Sequence, residues 1–190
     1  MGRVYMIRHG KPASTWADGK SEDPGLDEVG RRQSEAARDA LLAIPEPNRP
    51  KFVISSPLAR CRETALPTAH ALGVELVIDP IFGEVPTPRG LAHAERPGWL
   101  RKAFGGRWDE IVGDLDYDAW RRNIAKALAA REGFAIFSHY VAINGAVSAV
   151  TGNPLVLAFR PDHASITEFA VQDGRVSLVA LGREAVTGVL

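Results

Sequence analysis

The stretch Val4-Tyr5-Met6-Ile7-Arg8-His9-Gly10 decides the fold, because a short apolar run ends there in two basic side chains and a glycine. Such a run predicts a buried strand, and in open α/β folds ligands bind where strands end. Arg8 offers a planar set of donors that suits phosphate, and His9 can act as nucleophile, base or acid near neutral pH. Gly10 allows a sharp turn and the close approach of a ligand.

Three later segments also place polar side chains at strand ends or in loops. The segment Ser55 to Ala65, which contains Arg60, follows the predicted strand Phe52-Val53-Ile54. Glu84 lies in a loop rich in glycine and proline, after a third predicted strand that ends at Ile78. Ser138-His139 ends a fourth apolar strand, which begins at Phe134. Runs of this length, bounded by turn residues, are typical of buried strands.

The segments between these strands favour helices, and the chain ends in a predicted hairpin. The predicted helices run from the N-cap Asp27 to Pro45, from near Pro57 to Leu72, from Asp116 to Arg131 and from Val141 to Val150, and the hairpin joins Ser165–Val171 to Val176–Leu181. Pro67 should interrupt or kink the second helix. The alternation predicts a three-layer α/β/α fold with a mostly parallel sheet and an antiparallel edge strand.

Length and composition limit the classes of protein that fit. The 190 residues favour one domain, 1–190, with a loop or lid insertion at about 79–115, where proline and glycine are frequent. Lysine plus arginine and aspartate plus glutamate number 23 each, which argues against nucleic-acid binding by bulk charge. Cys61 is the only cysteine, so no intrachain disulfide is possible, and we expect it to be a small core residue. Without a visible signal peptide or membrane-length apolar run, we expect a cytoplasmic protein.

In this order, the four segments resemble the motifs of the histidine phosphatase superfamily, which has the phosphoglycerate-mutase-like fold. The family's helix motif has its counterpart in Leu26, Asp27, Gly30 and Gln33. The resemblance covers most of the chain and implies the same α/β/α sandwich.

The resemblance also implies a role for each site residue. His9 would be the nucleophile, and Arg8 and Arg60 would bind phosphate oxygens, helped by the helix N-terminus near Arg60. His139 would bind the transferring phosphoryl group as an imidazolium. Glu84 would protonate the leaving group, which requires a pKa raised by burial or by the nearby phosphate. Glu95 is the next carboxylate in the same segment.

Two departures from the family pattern affect the expected site. Lys11 and Pro12 follow the Arg-His-Gly where many members have a Thr or Ser and then Trp-Asn, so Ser14 or Thr15 would have to replace the asparagine contact to phosphate. Tyr140 stands after the second histidine, where the family usually has glycine. That change should narrow or re-line one wall of the pocket.

The resemblance favours a cofactor-independent phosphomonoesterase that acts on a small phosphorylated metabolite through a phosphohistidine on His9. A phosphoglycerate-type mutase, a phosphohistidine protein phosphatase and a non-catalytic phospho-ligand binding module remain alternatives. The histidines at positions 70, 93 and 163 are scattered without metal-ligand spacing, so we expect no metal site. The expected partner is a small phosphorylated substrate, with no nucleic acid and no membrane, and the sequence leaves the oligomeric state open.

Overall fold

The computed structural model describes residues 1–14 and 23–186, in which strands and helices alternate. The strands are β1 (Gly2–Arg8), β2 (Phe52–Ser55), β3 (Leu76–Ile78), β4 (Phe134–Ser138), β5 (Ile166–Gln172) and β6 (Arg175–Ala180). The helices are α1 (Glu28–Leu42), α2 (Ala59–Leu72), α3 (Arg96–Phe104), α4 (Tyr117–Ala129) and α5 (Tyr140–Thr151). Short 3₁₀ turns occur at Pro80–Phe82, His93–Glu95 and Trp108–Glu110.

The strands form one sheet in the order β3-β2-β4-β1-β5-β6. The four strands β1, β2, β3 and β4 all run parallel to one another. β5 runs antiparallel to β1, and β6 runs antiparallel to β5. The register sets Arg8 opposite Ser138 and Ser55 opposite Phe137. The residues directly after β1, β2 and β4 therefore emerge side by side at one edge of the sheet. The expected fold class is confirmed.

Helices cover both faces of the sheet, because each central strand is apolar on both sides. Tyr5 and Ile7 point to the face that packs on α1 and α2, whereas Val4 and Met6 point to the face that packs on α4 and α5. Cys61 is fully buried, as expected, and its thiol donates to the Ser138 carbonyl oxygen at 3.3 Å. Burial raises the pKa of this thiol.

The loop after β1 lies unusually close to α1. A Cβ added to Gly10 would come within 2.7 Å of the Gly30 carbonyl oxygen, and one added to Gly30 would collide with the Lys11 carbonyl oxygen. The Gln33 side-chain oxygen accepts from the Lys11 amide at 2.9 Å, while Asp27 caps α1 through the Gly30 amide and pairs with the Lys11 ammonium at 2.9 Å. The helix motif thus fixes the backbone that presents His9.

Two segments differ from their expected structure. α2 is continuous through Pro67, so the helix is not interrupted there, and its neighbours Ala65 and Ala69 are tightly buried against the sheet. The insertion expected to be a loop or lid at about 79–115 is partly helical, because α3 begins at Arg96 with Pro97 in its first turn, where proline is tolerated. None of the helices in the described residues is long and apolar enough to cross a membrane.

Candidate active site

A cavity of about 600 Å³ lies where the parallel strands end, and most of the predicted site residues border it. Arg8, His9, Arg60 and Glu84 line its inner end, and Ser14 also borders the cavity. Thr15 lies outside the described residues. His139 does not line the cavity: it is fully buried behind Arg60 and Glu84. Glu95 is exposed and does not line the cavity.

His9 is held in a fixed tautomer by its own turn. Its side chain is buried, its amide donates to the Ser138 carbonyl oxygen at 3.0 Å, and its Nδ1 lies 2.8 Å from the Gly10 carbonyl oxygen. A carbonyl can only accept, so Nδ1 carries the proton and Nε2 keeps a lone pair. Burial, then the charges of His139, Arg60 and Arg8, lower the pKa of His9 well below its ordinary value. The ring is therefore neutral at physiological pH.

Arg8 is buried between the backbone and an aromatic ring. Its Nη1 donates to the Pro161 carbonyl oxygen at 2.9 Å, and its guanidinium carbon lies 4.9 Å from the centre of the Tyr140 ring. This distance allows a cation–π contact. Burial lowers the pKa of Arg8 to about 10, so it stays protonated at neutral pH. Tyr140, the residue that replaces the usual glycine, thus forms a wall against the inner end of the cavity.

Arg60, Glu84 and His139 form a charged cluster. The Arg60 Nη2 lies 3.2 Å from His139 Nδ1 and 3.6 Å from Glu84 Oε2, and Glu84 Oε2 lies 3.5 Å from His139 Nδ1. Because the guanidinium can only donate, His139 Nδ1 accepts, and His139 Nε2–H donates to Ser56 Oγ at 2.7 Å. Ser138 Oγ–H donates to the Phe82 carbonyl oxygen at 2.7 Å, which fixes the loop that carries Glu84.

The electrostatics of this cluster differ from the expectation. Burial raises the pKa of Glu84, but the protonated form of His139 at acidic pH, the charge of Arg60 and the Val85 amide outweigh it and hold the pKa below its ordinary value. Burial lowers the pKa of His139 to about 4, and the opposing charge of Glu84 does not offset this. Protein groups alone therefore give a glutamate and a neutral His139, the reverse of an acid and an imidazolium. Burial alone is therefore not enough to raise the pKa of Glu84 above its ordinary value, and of the two expected causes only a nearby anionic phosphate could do so.

Asp23 occupies the N-terminus of α2. Its carboxylate oxygens accept from the Ala59 amide at 2.9 and 3.1 Å, and one lies 4.0 Å from Arg60 Nη1. α2 begins at Ala59, close to the predicted start, and this carboxylate already caps one of the N-terminal amides of the helix that was expected to assist phosphate binding.

His163 belongs to the cavity although no pattern in the sequence selected it. Its ring centre lies 5.6 Å from that of His9, and its Nδ1 lies 3.1 Å from the His9 carbonyl oxygen. The neighbouring Ala164 amide donates to the Arg8 carbonyl oxygen at 3.0 Å. Ala164 has φ 56°, a left-handed conformation that costs a residue other than glycine about 1–2 kcal/mol. Backbone strain thus lies directly beside the two residues at the end of β1.

No group of three or more His, Cys, Asp or Glu side chains placed to hold a metal ion occurs in the ranges 1–14 and 23–186. Positive charge at the inner end of the cavity comes instead from the guanidinium groups of Arg8 and Arg60.

Comparisons with known proteins agree with this architecture. The model of the histidine phosphatase superfamily (branch 1) matches residues 4–184, and the chain belongs to this family. Among solved structures, the phosphoserine phosphatase of Entamoeba histolytica in complex with 3-phosphoglyceric acid is 19% identical, with a TM-score of 0.75, over 96% of this chain and 98% of that one. A mycobacterial glucosyl-3-phosphoglycerate phosphatase is 21% identical, with a TM-score of 0.71, over 97% and 100%. None of the curated proteins matches the chain.

Proposed function

We propose that the protein is a phosphomonoesterase that transfers the phosphoryl group of a small phosphorylated metabolite to His9 and then to water. The observation that carries the proposal is the neutral His9 ring, whose Nδ1–H is tied to the Gly10 carbonyl oxygen so that Nε2 is left as a nucleophile. The Entamoeba and mycobacterial relatives are both phosphatases by name, which supports the reaction class.

In the first step, His9 Nε2 attacks phosphorus as the ester P–O bond breaks. Arg8 and Arg60 neutralise the charge on the non-bridging oxygens, since guanidinium groups form charge-assisted bonds to phosphate. The dianion also favours the protonated form of His139, because an opposite charge nearby raises the pKa of a histidine. His139 then becomes a third cation beside the transferring group.

The leaving oxygen takes its proton from Glu84. The same bound dianion opposes ionisation of this carboxyl group and counteracts the influence of Arg60 on its pKa, so Glu84 takes up a proton from water when the ester binds. In the second step a water molecule attacks phosphorus, the P–N bond breaks with its electron pair returning to His9, and Glu84 accepts the water proton. Each group thus ends the cycle in its starting state.

Rapid-quench mass spectrometry tests this proposal. Enzyme mixed with p-nitrophenyl phosphate and quenched within milliseconds should carry an acid-labile phosphate on the peptide that contains His9. The His9→Ala variant, checked for an unchanged circular dichroism spectrum, should show neither the adduct nor turnover. Full turnover in this variant would exclude His9 as the nucleophile.

A further inference from the structure

We propose that the substrate's leaving group is bulky and apolar, and that the face of α3 that borders the cavity selects it. This inference rests on the proposed phosphomonoesterase function and names the class of ester that the same site takes. It starts from the contrast between the two ends of the cavity. The inner end holds arginine and histidine side chains, whereas most of the remaining lining surface is apolar.

One stripe of α3 forms the roof of the cavity. Arg96, Leu100 and Phe104 are spaced four residues apart, so they lie on the same face of the helix, and all three line the cavity. At 1.5 Å per residue the stripe is roughly 12 Å long, enough to span a ring system and its linker. Leu100 is 5% exposed and packs with Val85 and Val141, which also border the cavity.

The apolar wall begins directly beside the phosphate-binding residues. The Phe104 ring centre lies 6.0 Å from that of Tyr140, and Tyr140 in turn covers the guanidinium of Arg8. A group attached to a phosphate held by Arg8 therefore meets Tyr140 and Phe104 first. Aromatic side chains at this position favour a partner with an apolar or aromatic surface.

The size of the cavity agrees with a bulky group. Pockets of about 300–1,000 Å³ enclose organic ligands of drug size, so about 600 Å³ leaves ample room beside one phosphate. A small polar alcohol would fill little of this space and would make few contacts with the roof. We therefore expect discrimination in favour of apolar alcohols of about the size of a substituted benzene.

The experiment compares two esters of primary alcohols, 2-phenylethyl phosphate and glycerol 3-phosphate, whose leaving groups have similar basicity. The kcat/KM should favour the phenylethyl ester by about tenfold or more, the range typical of apolar pocket contacts. Phe104→Ser should remove most of this preference, whereas Phe104→Leu should keep it because the apolar contact persists. Lys102→Ala, on the exposed side of α3, serves as the matched control and should behave as wild type.

Inhibition by inorganic phosphate reports on the inner end of the cavity and should be the same in all four proteins. Equal kcat/KM values for the two esters, or an equal loss on both in Phe104→Ser, would overturn the inference while leaving a phosphatase. If neither these esters nor p-nitrophenyl phosphate is hydrolysed, the proposed function fails and the inference fails with it.

Discussion

The inner end and the roof of the cavity are built in different ways. At the inner end, Arg8 and His9 are only 4% and 6% exposed. Backbone hydrogen bonds to Ser138 and Ala164, with the bond from the Arg8 guanidinium to the Pro161 carbonyl oxygen, fix both residues at the edge of the sheet. The roof comes from one short helix inside an irregular segment, where Phe104 is only partly buried. A preorganised inner end suits phosphoryl transfer, because that step tolerates little displacement of the reacting groups. The side chains of a separate roof can be replaced without moving those groups. Substitutions at the inner end should therefore lower kcat for every ester, whereas substitutions in the roof should change the ratio of kcat/KM values between esters.

The largest effect is expected at His9, whose ring is buried and held by its own turn. His9→Ala removes the proposed nucleophile, so kcat should fall by about 10⁴-fold or more for every phosphate ester, whatever its leaving group. Steady-state assays with an aryl and an alkyl ester measure this. A loss confined to one class of ester would mean that His9 acts on the leaving group.

Glu84 should separate substrates by their leaving groups. Glu84→Gln keeps the shape of the side chain but removes the acidic proton that we propose Glu84 donates, so an alkyl ester should slow by about 10²–10⁴-fold, the usual range for general acid catalysis. p-Nitrophenyl phosphate should lose much less, because its phenolate leaves without a proton. The ratio of kcat for the two esters is the measurement. Equal losses would indicate that Glu84 positions the phosphate through Arg60, from which it lies 3.6 Å.

His163 tests whether the fixed geometry of the inner end matters. His163→Leu removes the donor to the His9 carbonyl oxygen, and we expect kcat to fall by roughly tenfold with little change in KM, the size of one lost buried hydrogen bond. His163→Asn should restore most of kcat, since the Asn Nδ2 lies where the histidine Nδ1 was and also donates. If the two variants lose kcat equally, the hydrogen bond has no role in positioning His9.

His163→Asn should also make the protein less sensitive to acid. Burial lowers the pKa of His163 to about 4, below its ordinary 6.5, so the unfolded chain binds a proton more readily than the folded one between these values. The free energy of unfolding therefore falls as pH drops through this window, by up to about 1.4 kcal/mol per pH unit for one group. Urea unfolding at pH 5 and pH 7 measures the slope, which should be shallower in the asparagine variant than in wild type.

The inner end could be predicted from the sequence because its residues come directly after buried strands. Apolar runs before His9 and His139 indicated parallel strands, and the carboxyl ends of such strands meet at one edge of the sheet. His163 was missed because it precedes a strand instead. β5 is antiparallel to β1 and pairs Ile166 with Ile7, so residues just before β5 meet those just after β1. Pairing the first strand of the predicted terminal hairpin with β1 would have placed His163 beside the residues that follow β1.

The roof and the charge states could not be predicted in the same way. Frequent proline and glycine concealed α3, because Pro97 in the first turn of a helix looks the same in sequence as a proline in a loop. The pKa of Glu84 is shifted downward, whereas an upward shift was expected, because the shift is the sum of the effects of several neighbouring groups. Arg60 and His139 approach Glu84 only in the folded chain, 24 and 55 residues away in sequence.

Arg96 lies in the roof but acts on groups of the inner end, and its substitution should have the smallest effect. It belongs to the roof, yet its charge lowers the pKa of both Glu84 and His139, along with the larger influences on each. Arg96→Gln removes that charge, so the carboxyl group of Glu84 keeps its proton to higher pH. A general acid is active while protonated, and the rate on an alkyl ester falls as pH rises through its pKa in the complex. The alkaline limb of the kcat profile should therefore move to higher pH.

The control is Arg101→Gln, which removes an exposed cation of α3 that does not line the cavity. A shift of the same size in both variants would show only a change in the net charge of the helix, and a shift to lower pH would contradict the assignment of Glu84 as the acid.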